Sequence, residues 1–410
     1  MAGRNNVLIG NITKLRFNFF LIVFRTAGIP ILFEKVPKLF QIYCFAVNTC
    51  VLIFYASNVL DLFTHKEDLR YTMETVRAAA PASIIIWTYS FLRFRTNVLE
   101  RLIRGTEAFN WETLPKNDPD TGSLTMAGWI SVIKTTIRRI TISAELYLVA
   151  YIIACSVISD KRIPLFNAWF PCDMALSPAY ELINIQQSIA ATAYVFTVYP
   201  FPCFFATLVC ITGSQLEKLR ARLLNIKLKR DTAMQQESGA ETDLEEVFRH
   251  MQKELNECVR QHQEILRYIR ELEDSLNVFM TGVFLLSLIS MCLCAFSIVT
   301  SWGDHFMMLQ GVIAYSMALV PLVFYCWFGY ELTAQTQRIK DAAWGCDWVG
   351  TPVSFQKSIR LIISSANKEF TLTAGKIVPV TISTMVNMVN QSVSYFMFLL
   401  EVKDSIETDE

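Results

Sequence analysis

Residues 275–303 read SLNVFMTGVFLLSLISMCLCAFSIVTSWG, a run of 29 positions without Asp, Glu, Lys or Arg. A helix needs roughly 20 apolar residues to cross a hydrocarbon core of about 30 Å, so this run is long enough to span a bilayer. What precedes it decides how the span continues. Leu244, Phe248, Met251, Leu255, Cys258, His262, Ile265, Ile269, Leu272 and Leu276 advance in alternating steps of four and three, with charges between them. That alternation is the a/d seam of a helix that needs an apolar partner. No Pro or Gly separates seam from span. One helix is therefore expected to leave the membrane and continue into water. His262 lies on the seam, where a histidine packs more often than it binds a metal.

Six further runs resemble the first. Residues 39–60, 182–216, 306–330 and 377–400 carry no charge, and 140–159 carries only Glu145. Residues 78–92 are short, and span only if Arg77 and Arg93 reach opposite interfaces along their aliphatic stems. The reading is an all-α membrane protein with seven transmembrane helices. Its charges give it a direction. Of 37 Lys and Arg, 31 fall in residues 1–38, 93–139, 213–275 and 329–377, all on one side of the alternating crossings, and 6 on the other. The basic side is cytosolic. The amino terminus is then cytosolic and the carboxyl terminus extracellular.

The organisation that follows is a cytosolic amino-terminal segment, 1–38, whose apolar run 17–24 between Lys14, Arg16 and Arg25 suits an interfacial helix. Six transmembrane helices occupy 39–330, including a cytosolic helical extension at 214–275. A cytosolic anchor segment, 331–376, a seventh helix, 377–402, and an extracellular tail, 403–410, complete the chain. Pro200, Pro202 and Pro321 interrupt apolar runs and mark bends, while Pro379 suits the first turn of the last helix. The outer connection around 160–181 contains Pro164, Trp169, Pro171 and Pro178 and is either a lid or an ordinary ordered loop.

The chemistry of enzymes is missing. The four histidines make no HExxH spacing, and no phosphate-binding glycine loop, nucleophile elbow or CxxC pair occurs. No cofactor, metal site or nucleic-acid surface is expected. Eight of the eleven cysteines lie inside the apolar runs and read as small buried residues rather than a disulfide framework. Glu145, the one acid well inside a span, is either functional or an interfacial anchor near Arg138 and Arg139.

The most specific stretch is residues 344–400. It holds Trp344 and Asp347-Trp348, then Leu372-Thr373-Ala374-Gly375-Lys376, Pro379-Val380-Thr381, and finally Val393-Ser394-Tyr395-Phe396-Met397-Phe398. In order and spacing this resembles the end of the insect odorant receptors. The resemblance implies a ligand-gated, non-selective cation channel, with four subunits around a pore lined by the last helix. It implies a tuning subunit that joins the shared coreceptor (Orco) in a heterotetramer, in the plasma membrane of sensory neurons, surrounded by membrane lipid.

The last helix suits that role. Asn387, Gln391, Ser394, Phe398 and Val402 recur at helical spacing, polar deeper and apolar toward the outer end. Ordinary interhelical hydrogen bonding is the alternative for such a stripe. Alignment to the family places the gate at Phe398 and Val402. The resemblance also implies a volatile, mainly apolar ligand in the outer half of the bundle. Ile84, Trp87, Tyr147, Tyr151, Tyr194, Val198, Met308, Tyr315 and Ala318 are the candidates at that depth, each equally suited to core packing. A gustatory-type channel of the same superfamily is the nearest alternative. A seven-helix G-protein-coupled receptor disagrees with the charge bias, and a transporter predicts repeats that are not found.

Overall fold

A computed structural model describes residues 14–409 apart from 34, 65–68, 120, 159–163, 167, 172, 173, 175, 237–240, 301–303, 347, 368 and 369. The helices are α1 (Asn18–Thr26), α2 (Lys38–Thr64), α3 (Leu69–Phe94), α4 (Thr96–Gly105), α5 (Met126–Ile158), α6 (Ala179–Val198), α7 (Pro200–Gln236), α8 (Glu241–Thr300), α9 (His305–Trp344), α10 (Val353–Ala366) and α11 (Ile382–Asp409). A two-stranded antiparallel hairpin, β1 (Thr373–Ala374) and β2 (Val378–Pro379), precedes α11. Among the described residues, four helical stretches are both long and apolar enough to cross a membrane: Lys38–Thr64, Ala179–Ile226, Glu245–Thr300 and Met307–Trp344. Helices α3, α5 and α11, with 26, 33 and 28 residues, also have the length to cross.

Helix α7 is the axis of the bundle, packed by α5, α8 and α9. In its uncharged first half, 200–216, apolar residues run all round it, and Ala206, Leu208, Val209, Cys210 and Ile211 are fully buried, as a stretch with no charged face requires. Pro200 and Pro202 separate it from α6, which ends at Val198. Pro321 lies inside the continuous α9. Helix α1 lays one apolar face on the bundle. Phe17, Phe20 and Phe24 are buried and each meets Phe204 of α7 at 5.6–5.9 Å between ring centroids. Its apolar face goes to protein because a partner aromatic is within reach.

The seam and the 275–303 run form one helix of 60 residues, α8. From Met251 to Leu276 the seam is buried, within one cluster that includes Leu219 and Leu223 of α7, Ile339 of α9 and Ile359 of α10. Much of the seam's partner is therefore this same chain. His262 is only 4% exposed, and burial pushes its imidazole down to about 4. A buried neutral histidine contributes stability above its unfolded value of about 6.5, and that stability is lost as pH falls toward 4. Acidification from pH 7 to 5 should cost about 2 kcal/mol, and His262→Phe should remove that dependence. Thermal unfolding of both forms at the two pH values is the check; equal pH slopes would exclude the histidine as the cause.

The start of the last helix differs from expectation. Pro379 lies in β2, not in a helical turn, and α11 begins at Ile382. The helix also continues past residue 402 to Asp409, through the residues read as an extracellular tail. Nothing between 382 and 409 breaks a helix, since neither Gly nor Pro occurs there.

Candidate functional site: the bundle interior and the last helix

The nine candidate ligand residues separate into two groups. Ile84, Tyr194, Val198 and Ala318 are buried in the main hydrophobic core, which runs the whole length of the bundle, and Trp87 and Tyr315 pack against that core. Trp87 donates from Nε1 to the Phe279 carbonyl at 3.1 Å. Its indole lies so close to Gly282 of α8 that no Cβ would fit there. Tyr194 meets Phe54 of α2 edge to face at 5.4 Å, and its hydroxyl is buried without a hydrogen-bond partner. The Ser287, Ser290 and Ser297 hydroxyls of α8 share that condition. Unpaired buried hydroxyls are costly. Tyr147 is 75% exposed on α5 and stands apart from the cluster. Met308 is half-buried. Tyr151 reaches the group indirectly, donating to the Leu165 carbonyl at 3.0 Å with its ring 6.0 Å from Phe166.

Phe166 belongs to the connection between α5 and α6, which folds onto the bundle. The Gln187 side chain of α6 donates to the Phe166 carbonyl at 3.0 Å and accepts from the Phe166 N–H at 3.1 Å. Asn184 accepts from the Leu165 N–H at 3.1 Å, and the Trp169 N–H reaches the Ser57 carbonyl at 3.1 Å. The Phe166 ring lands on Phe54, 5.6 Å away, beside Tyr194. These residues were not among the sequence candidates. The signal was the pair Gln186-Gln187 in an uncharged run, since amides at membrane depth need partners. Gln187→Leu leaves two main-chain groups of Phe166 unpaired and should cost about 2–4 kcal/mol. A melting temperature unchanged by that substitution would show that the loop is not held this way.

Glu145 also acquires a partner. Thr192 of α6 donates to its Oε1 at 3.1 Å, while its Oε2 is buried and unpartnered. The acid faces a neighbouring helix rather than acting only as an interfacial anchor.

Helix α11 packs on α8 and α9 by one side only. Met388 and Ser392 are buried there, and the Ser392 hydroxyl lies 3.5 Å from that of Tyr315. Asn387, Gln391, Ser394 and Phe398, on the other side, are exposed. The side chain of Val402 lies outside the described residues.

The hairpin fixes where α11 begins. Gly375 and Lys376 have φ of 63° and 59°, a left-handed pair that turns the chain. The Gly375 N–H donates to the Asn277 carbonyl of α8 at 3.2 Å. Thr373 donates to Glu273 at 2.8 Å, and Lys376 pairs with Asp274 at 3.0 Å. All three α8 partners lie where its charged half meets its apolar half.

Comparisons with known proteins agree with this architecture. The family model described as 7tm Odorant receptor matches residues 71–393. Odorant receptor Or2 of Anopheles gambiae is 26% identical over 324 residues, covering 76% of this chain and 80% of that protein. The odorant receptor coreceptor of the same species is 23% identical over 147 residues, 35% of this chain and 30% of its own. The solved structure of olfactory receptor OR5 from Machilis hrabei in complex with eugenol superposes with a TM-score of 0.74 at 17% identity, covering 96% of this chain and 99% of that one.

Proposed function

Because this chain belongs to the insect odorant receptor family, we propose that it is a tuning subunit of an odorant-gated, non-selective cation channel. Seven helices, α2, α3, α5, the α6–α7 pair, α8, α9 and α11, cross the plasma membrane of a sensory neuron, with the amino terminus in the cytosol. The subunit assembles with the coreceptor in a heterotetramer. The observation that carries the reading is the last helix. Three polar side chains, Asn387, Gln391 and Ser394, line the face that this subunit leaves uncovered, while the opposite face is packed on α8 and α9. Polar groups facing lipid are costly, whereas the same groups facing a central aqueous pore are solvated.

The ligand is a volatile, mainly apolar molecule held among Ile84, Trp87, Tyr194, Val198, Tyr315 and Ala318. Shape and dispersion supply most of its binding, with few hydrogen bonds. The contact between Tyr315 and Ser392 offers a short route from that interior to the pore helix.

The test is co-expression with the coreceptor and recording of currents across a panel of volatiles with G-protein signalling blocked. Odorant-evoked cation current that survives the block is expected. Current abolished by the block would replace the channel reading with a metabotropic one.

A further inference from the structure

We propose that a cleft between α5, α7 and α9 holds the headgroup of an inner-leaflet phospholipid that carries a primary ammonium. The inference rests on the membrane reading above. The cleft encloses about 620 Å³, a ligand-sized space, and its position in the chain sets its depth. Glu217 and Glu331, which line it, are the first charged residues after the uncharged runs 182–216 and 306–330. Trp129 and half-exposed Trp327 line it too; indoles concentrate at the level of lipid headgroups.

Its chemistry is divided. The buried amide of Gln335 donates to Glu331 at 3.0 Å and to Glu217 at 3.3 Å, so two carboxylates converge on one neutral nitrogen. Glu217 also caps the start of α5 through the Met126 N–H at 3.1 Å. Arg338 reaches Glu331 only at 3.5 Å and is 47% exposed. An ammonium with three N–H donors fits between such acceptors. A trimethylammonium, without donors, does not. Lys218 and Arg220 line the same cleft and supply the cations that a phosphate beside that ammonium needs.

The test uses the purified full-length chain in detergent, with lipid adducts counted by native mass spectrometry. Phosphatidylethanolamine should bind about tenfold more strongly than phosphatidylcholine of the same chains, the effect of one charge-assisted hydrogen bond. Phosphatidylglycerol should also bind more weakly. Glu331→Gln should bring phosphatidylethanolamine down to the phosphatidylcholine level. Arg220→Gln, at an exposed position, should weaken both lipids alike. Equal binding of the two lipids, a preference that survives Glu331→Gln, or no effect of Arg220→Gln would overturn the assignment. Failure of the membrane reading gives a different result, release of the chain from membranes by alkaline carbonate.

Discussion

Phe398→Ala should raise the resting current of the assembled channel on the order of tenfold, which corresponds to about 1.4 kcal/mol of closed-state preference. The argument begins with exposure. Phe398 is 61% exposed in a single subunit, on the same uncovered side of α11 as Ser394 and Gln391. In the channel proposed above, this ring would narrow the pore and exclude water, since an apolar constriction blocks ions by dewetting. Alanine removes the ring and admits water. Phe398→Leu keeps an apolar plug and should return the resting current close to the parent value. Whole-cell recording with surface labelling separates gating from expression. Unchanged resting current at normal surface density would remove Phe398 from the gate.

The long helix α8 was legible because an uncharged run and a ten-position seam are patterns that one helix writes alone. Both depend on local spacing, and α8 realises them as a single element. The hairpin before α11 was not legible in the same way. Pro379 suits a helical first turn as well as a strand, and only the left-handed pair Gly375-Lys376 together with three partners on α8 selects the strand. Those partners lie about a hundred residues away in sequence. The bundle interior shows the same limit. Depth along a helix placed Tyr147 and Tyr194 in similar positions, but depth carries no information about rotation. Tyr194 turns inward onto Phe54 while Tyr147 stays exposed. Phe166 has no signature in the sequence because loop residues carry no periodicity, and its place is set by one amide of Gln187 on another element. The polar stripe on α11 was readable from spacing, yet which of its sides meets the rest of the subunit required the packing of α8 and α9.

Gly375→Val should reduce the maximal odorant current per surface channel by about tenfold or more, without a matching loss of surface protein. Two physical effects combine. At φ of 63° a β-branched residue is strained, typically by about 1–3 kcal/mol. A Cβ at this position would also lie 3.0 Å from the Thr281 hydroxyl. Relief requires the turn to move off α8, which stretches the Gly375–Asn277 hydrogen bond and the Lys376–Asp274 pair. The Val380 N–H is bonded to the Leu372 carbonyl at 2.8 Å, so the displacement passes to the first residues of α11. A pore helix whose start is no longer fixed to α8 receives less of any movement that ligand binding produces in the bundle. Asn tolerates left-handed backbone better than Val, so Gly375→Asn should retain more current than Gly375→Val although both carry a Cβ. Equal currents from the two variants would point to contact with Thr281 as the whole effect. Currents that fall only in step with surface density would assign Gly375 to folding and remove it from the path between ligand and pore.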